Sequence, residues 1–170
     1  MEYDFCNSFY FNKNHLYRMV KKINIYAYPN RNSPEDPATN HWVMFLQYSA
    51  ISSVKVDMYP SKFSGKGILE LSSKKYTQSD RAIYSFSIET INGLTVETLA
   101  DTINKSGLDK YYFTKELEGC RYWIYCIIHK LEEDSYLPAG STKNAWDSLS
   151  YYYGDQGEPV PREIKYYSED

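Results

Sequence analysis

Three side chains of this 170-residue sequence have the chemistry of a thiol-dependent acyl transfer: Cys120, His41 and Asp57. Cys120 stands directly after Gly119 and directly before an apolar run, in the stretch ELEGCRYWIYCIIHKLEE of residues 116–133. The thiolate is the nucleophilic form of cysteine, and the dipole and unpaired N–H groups of a helix start favour it. A glycine before it lets the chain turn sharply and leaves the sulfur open. Such a thiol needs a base to take its proton. His41 is the candidate, at the head of a strand-like run and beside a Pro/Asn-rich stretch, where a side chain can reach a cleft. Asp57 is a carboxylate on the next strand-like run. Each has a plainer role as well. Cysteine is among the most buried residue types, His41 could anchor its neighbouring loop, and Asp57 could be an exposed strand carboxylate. Both readings stand at this level.

Trp42, Arg121, Tyr122 and Trp123 flank these groups and are the expected substrate contacts, although the two tryptophans serve equally as packing beneath the site. Arg121 falls in the first helical turn, where a cation opposes the dipole. It should therefore meet a carboxylate, either of a substrate or of Glu118. Glu116 and Glu118 would raise the pKa of a nearby thiol. Cys126 lies six residues along the same helix and is turned away from Cys120. Cys6 has no identified partner, and His15 and His129 read as solvated.

The elements that must position these groups follow from periodicity. Ile23–Tyr28, His41–Tyr48, Ser53–Tyr59, Gly67–Leu71 and Ala82–Glu89 read as strands. In Ser53–Tyr59, Val54, Val56 and Met58 share one face and leave Asp57 on the other. The second and third strands should form a hairpin across SAIS. A symmetric turn at residues 50 and 51 would set Pro60, not Asp57, opposite His41, so a bulge or an asymmetric loop is required. A helix is expected over about Thr95–Asn104, with Thr95 as N-cap and Gly107 as its stop. Tyr111–Phe113 reads as a short strand. The quoted run is a core-facing helix, with Trp123, Ile124, Ile127, Ile128 and Leu131 at spacings of three and four. A last helix should span about Thr142–Tyr152. PNRNSPEDPATN, residues 29–40, reads as a surface loop bordering the site. Strands followed by helices imply an α+β domain with a mostly antiparallel sheet. The chain is read as a single domain over 1–170, with residues 1–22 and 154–170 peripheral to it.

Composition bounds the function. The formal net charge is −3, from 19 basic and 22 acidic residues, and no Lys/Arg tract exceeds a pair. That excludes the basic stripe of a dedicated nucleic-acid binder and a polybasic membrane anchor. Three cysteines do not make a disulfide framework, and no second ligand pair completes a zinc site. No secretory signal, membrane-length apolar run or Gly-rich nucleotide motif is present. A cytoplasmic protein without metal or organic cofactor is the expectation, of unspecified oligomeric state. The 19 tyrosines suit either a lined pocket or an interface.

NHWVMFL, followed far downstream by GCRYWIYCII, resembles the circularly permuted NlpC/P60 group of papain-like proteins, including the lecithin:retinol acyltransferase-like enzymes. The resemblance covers about residues 40–130 and includes the His-first, Cys-later order. It implies a permuted papain-like architecture in which an HW-aliphatic strand supplies the base and a later helix opens with the nucleophile. The acyltransferase branch usually carries a second histidine on the following strand; this sequence has none there, and the resemblance implies that Asp57 takes that role of orienting the imidazole. It also lacks the apolar C-terminal anchor of lipid-processing members. NHW, VDM and GCRYW together are similar to an uncharacterised domain family found in fungi. The expected function is cysteine-dependent acyl transfer (amidase, peptidase or acyltransferase) on a small amide or acyl substrate. The alternative is a non-catalytic binding domain of the same fold with an aromatic-lined cleft.

Overall fold

The computed structural model describes residues 2–29, 39–155 and 157–169. Most of the loop expected over residues 29–40 lies outside them. Five strands form one antiparallel sheet: β1 (Lys22–Tyr28), β2 (His41–Gln47), β3 (Ser53–Pro60), β4 (Gly67–Lys74) and β5 (Tyr84–Glu89), in the order β4-β3-β2-β1-β5. Three helices follow: α1 (Val96–Lys105), α2 (Cys120–Glu133) and α3 (Ser141–Leu149). The class is α+β, as the order of elements implies.

Alternation along each strand separates two faces. Ile23, Ile25, Trp42, Met44, Leu46, Val54, Val56, Met58 and Leu71 point toward the helices and are almost wholly buried. Against them α2 packs Trp123, Ile124, Ile127, Ile128 and Leu131, the stripe read from its spacing. The Thr95 hydroxyl accepts from the Thr98 N–H at 3.1 Å, capping α1, and Gly107 ends that helix region in a left-handed conformation at φ 72°. Glu132 of α2 accepts from the Gly140 and Thr142 N–H groups, so the start of α3 is capped by its neighbour.

The other face of the sheet carries Tyr26, Val43 and Phe45, a smaller buried cluster. The connection from β4 to β5 covers part of it, because the strands it joins lie at opposite edges of the sheet. Tyr26 Oη donates to the Thr77 carbonyl at 2.7 Å, and Ser53 Oγ donates to the Tyr76 carbonyl at 2.6 Å, pinning this strap down.

Several expectations are adjusted. The first 22 residues are not peripheral: Tyr3, Phe5, Cys6, Phe11 and Val20 join the main core. The run Tyr111–Phe113 makes only an isolated bridge, Lys66↔Tyr112, rather than a strand. The last helix ends at Leu149, three residues early, because Tyr151–Tyr152 (β6) pairs with Val160–Pro161 (β7). The C-terminal arm is tied down, with Ile164 buried.

Candidate active site

β2 begins at His41 and β3 carries Asp57. Their ladder pairs Met44 with Val56 and Gln47 with Ser53, across a five-residue connection, Tyr48–Ser52. This odd-length loop shifts the register one place from the symmetric hairpin. Continued outward, the register sets Val43 across from Asp57, so His41 is the diagonal neighbour of Asp57 on the same face. The loop meets the geometric requirement without a bulge. His41 Nε2 and Asp57 Oδ1 lie 2.8 Å apart.

α2 brings the thiol. Gly119 precedes it at φ 154°, and a Cβ there would lie 3.1 Å from the Tyr111 ring and 3.2 Å from Phe113. Glycine is thus required by the backbone angle and by crowding. Tyr111 Oη donates to the Gly119 carbonyl at 2.8 Å and holds the turn in place. Because Gly119 offers no capping side chain, the first N–H groups of α2 are left without an intrahelical partner. The Cys120 thiol points at the carbonyl of Asn40, 3.8 Å from Sγ, in a weak sulfur hydrogen bond. Asn40 is itself locked: its amide donates to the Tyr153 carbonyl at 2.8 Å and accepts from the Tyr153 N–H at 2.9 Å.

Burial disfavours charge on His41, but Asp57 and then Cys120, each by hydrogen bonding and by charge, outweigh it and raise its pKa to about 10. Burial likewise opposes the charged form of Asp57, yet His41 and Lys55 together hold its carboxyl below the usual range. Lys55 Nζ stands 3.2 Å from Asp57 Oδ2. Asp57 engages Nε2 of the ring, so proton exchange with any other group falls to Nδ1. Among the described residues His41 and Cys120 share a cavity of about 290 Å³ whose apolar walls are Pro29, Pro60, Phe113 and Leu117. The His41 side chain keeps 33% of its surface exposed, so the imidazole is open to that space.

The expected flanking contacts are placed differently. Trp42 and Trp123 are each 1% exposed and belong to the core. Trp42 packs edge-on against Tyr84 and Tyr153, and Trp123 Nε1 donates to the Leu108 carbonyl at 2.8 Å. Tyr122 leaves the cavity altogether and stacks on Tyr166, with ring centroids 4.6 Å apart. Arg121 touches the cavity, but its guanidinium is spent on the fold: it donates to the carbonyls of Leu149, Arg162 and Glu163 at 2.9, 2.9 and 2.6 Å. Its nearest carboxylate is Glu118 Oε2, at 3.8 Å, one of the two partners expected for it. Glu118 also pairs with Arg162, so its charge is compensated before it bears on Cys120. Glu116 is exposed.

Asn40, Lys55, Tyr111 and Leu117 join the site without having been singled out in the sequence. Asn40 had a signal, since it heads the NHW run. The others are brought in by tertiary packing alone. Among the described residues no cluster of His, Cys, Asp and Glu could hold a metal ion, and no helix is long and apolar enough to cross a membrane.

The arrangement is a thiol at a helix start that shares a cavity with a carboxylate-bound imidazole at the head of a strand, within an α+β domain. The chain belongs to the family described as a domain of unknown function, DUF7770, whose match spans residues 23–166, from β1 into the C-terminal arm. Neither the curated proteins nor the solved structures contain a match.

Proposed function

We propose that this protein is a cysteine-dependent acyl-transfer enzyme, with Cys120 as nucleophile, His41 as proton carrier and Asp57 as the residue that orients the imidazole. The observation that carries this reading is the His41–Asp57 contact at 2.8 Å, made by an imidazole that lines the same cavity as Cys120. The order of the parts, His at the head of a strand and Cys opening a later helix, supports a permuted papain-like architecture of the NlpC/P60 kind.

The chemistry runs in two halves. His41 Nδ1 takes the Cys120 proton, and the sulfur attacks the substrate carbonyl to form a C–S bond. The unpaired N–H groups of Cys120 and Arg121 receive the oxyanion. His41 then gives its proton to the leaving amine or alcohol as the scissile bond breaks, which leaves a thioester. In the second half a water, amine or alcohol attacks the thioester, His41 takes its proton, and the C–S bond breaks to return the thiolate. Asp57 keeps Nε2 protonated throughout, so that Nδ1 is the nitrogen that exchanges protons. A cavity of about 290 Å³ with apolar walls suits a small amide or acyl group.

One observation favours the alternative, a non-catalytic binding domain. Cys120 is only 9% exposed, and its thiol is directed at the Asn40 carbonyl. The pH dependence of iodoacetamide alkylation, read peptide by peptide, separates the two. An unperturbed thiol titrates near ~8.5. Under the enzyme reading Cys120 reacts well below that pH, ahead of Cys6 and Cys126, and His41→Ala removes the advantage. A Cys120 that is inert or ordinary in both proteins rejects the reading in favour of a binding domain.

A further inference from the structure

The strap between β4 and β5 borders a second, open cavity, of about 610 Å³, on the face of the sheet away from the helices. Its lining does not include Cys120, His41 or Asp57. The lining divides by chemistry. Phe45, Ile51 and Tyr76 make an apolar side, and Ile51 and Tyr76 remain 72% and 48% exposed although they are large hydrophobic residues. Lys55, Lys75 and Arg81 make a cationic side, against one lining carboxylate, Asp80.

This concentration of positive charge stands out in a chain whose net charge is −3. Lys55 is engaged by Asp57 at 3.2 Å. Among the described residues Lys75 and Arg81 form no ion pair with any carboxylate. Arg81 lies over the Tyr28 ring, 5.7 Å from its centroid, and Lys55 lies 5.9 Å from the same centroid. Clustered like charges repel, and an anion placed among them relieves that repulsion. Arginine adds a planar fork that fits a carboxylate or a phosphate. Ile51 and Tyr76, the uncovered part of the apolar side, would bury their surface against a body attached to that anion.

We propose that this cavity binds a small organic anion, a carboxylate or phosphate monoester with a flat apolar body. Its charge rests on Lys75 and Arg81 and its body against Phe45, Ile51 and Tyr76. The size agrees with the range of about 300–1,000 Å³ typical of small-molecule sites. The site is separate from the thiol cavity and holds whether or not Cys120 is catalytic.

The test is a titration of the full chain, labelled with ¹⁵N, with benzoate, phenyl phosphate, benzyl alcohol and benzylammonium. Benzoate or phenyl phosphate should shift the amides of residues 50–55 and 75–81 saturably, and the tighter of the two identifies the headgroup. Benzyl alcohol should bind about tenfold more weakly, as expected when a charge-assisted hydrogen bond is lost. Benzylammonium should not bind. Lys75 and Arg81 are exposed, so their replacement leaves the fold intact. The double variant Lys75→Ala/Arg81→Ala should lose about tenfold in affinity for the anion, by the same reasoning. Absence of saturable shifts with both anions overturns the proposal. So does equal affinity for benzyl alcohol, or an affinity unchanged in the double variant.

Discussion

At the scale of single residues, the proton on His41 decides most of the chemistry of the proposed mechanism. Asp57 holds it there, and one opposite charge at hydrogen-bonding distance moves a pKa by about 1–3 units. Asp57→Asn should therefore lower the titration of His41, followed by imidazole ¹⁵N shifts. Cys120 alkylation at pH 6 should slow by about tenfold, the effect of about one unit in that pKa. An unchanged His41 titration would show that the 2.8 Å contact is electrostatically idle. The same pair ties stability to pH. His41 titrates in the fold near 10 against an ordinary 6.5, so its contribution is complete below 6.5 and drains away as pH rises toward 10. Asp57 is held below its ordinary 3.8, so its contribution is present above that value and is lost as pH falls through its folded-state pKa. Urea midpoints of wild type and His41→Ala should thus be furthest apart between those limits and converge above pH 10.

At the scale of elements, the site depends on how α2 begins. Gly119→Ala forces a Cβ to within 3.1 Å of Tyr111 at a backbone angle of 154°, which side chains rarely adopt. Strain of this kind costs on the order of 1–3 kcal/mol. Denaturant unfolding should show that loss, together with slower Cys120 alkylation as the helix start shifts. A variant as stable and as reactive as wild type would mean that the turn is free to relax. The helix itself was legible: its apolar stripe at spacings of three and four, with glycine before it, predicts Cys120–Glu133 end to end. The hairpin was legible as two strands but not as a register. Loop length sets which face each side chain takes, and an odd loop reverses the pairing that an even one gives. Only the observed five-residue turn puts Asp57 on the face of His41.

At the scale of the whole molecule, Arg121 joins the helix that carries the thiol to the end of α3 and to the C-terminal arm. Its side chain is 6% exposed, and beside it Glu118 already has one buried oxygen, Oε2, without a hydrogen-bond partner among the described residues. Arg121→Met keeps much of the volume but strands three carbonyls and weakens the compensation of Glu118. Removing one partner of a buried charge pair costs about 3–5 kcal/mol, and limited proteolysis should find the arm released. A variant with a wild-type urea midpoint and a protected arm would free Arg121 for the substrate role that its sequence position suggests.

What the sequence determined by itself is the class of the fold and the identity of the chemical groups. Strand alternation and helical spacing are local properties, each readable within ten or so residues, and a cysteine after glycine at a helix start is equally local. The α+β order was available on those terms, and Cys120, His41 and Asp57 were available as candidates. What only the tertiary structure decided is which neighbours those groups have. Trp42 and Trp123 are turned into the core by strand and helix phase, Tyr122 is turned outward, and Arg121 is consumed by carbonyls as far as 42 residues away. The strap that borders the second cavity joins two strands that are neighbours in sequence but stand at opposite edges of the sheet. Contacts of that kind depend on pairing between distant segments, and no local pattern of residues encodes them.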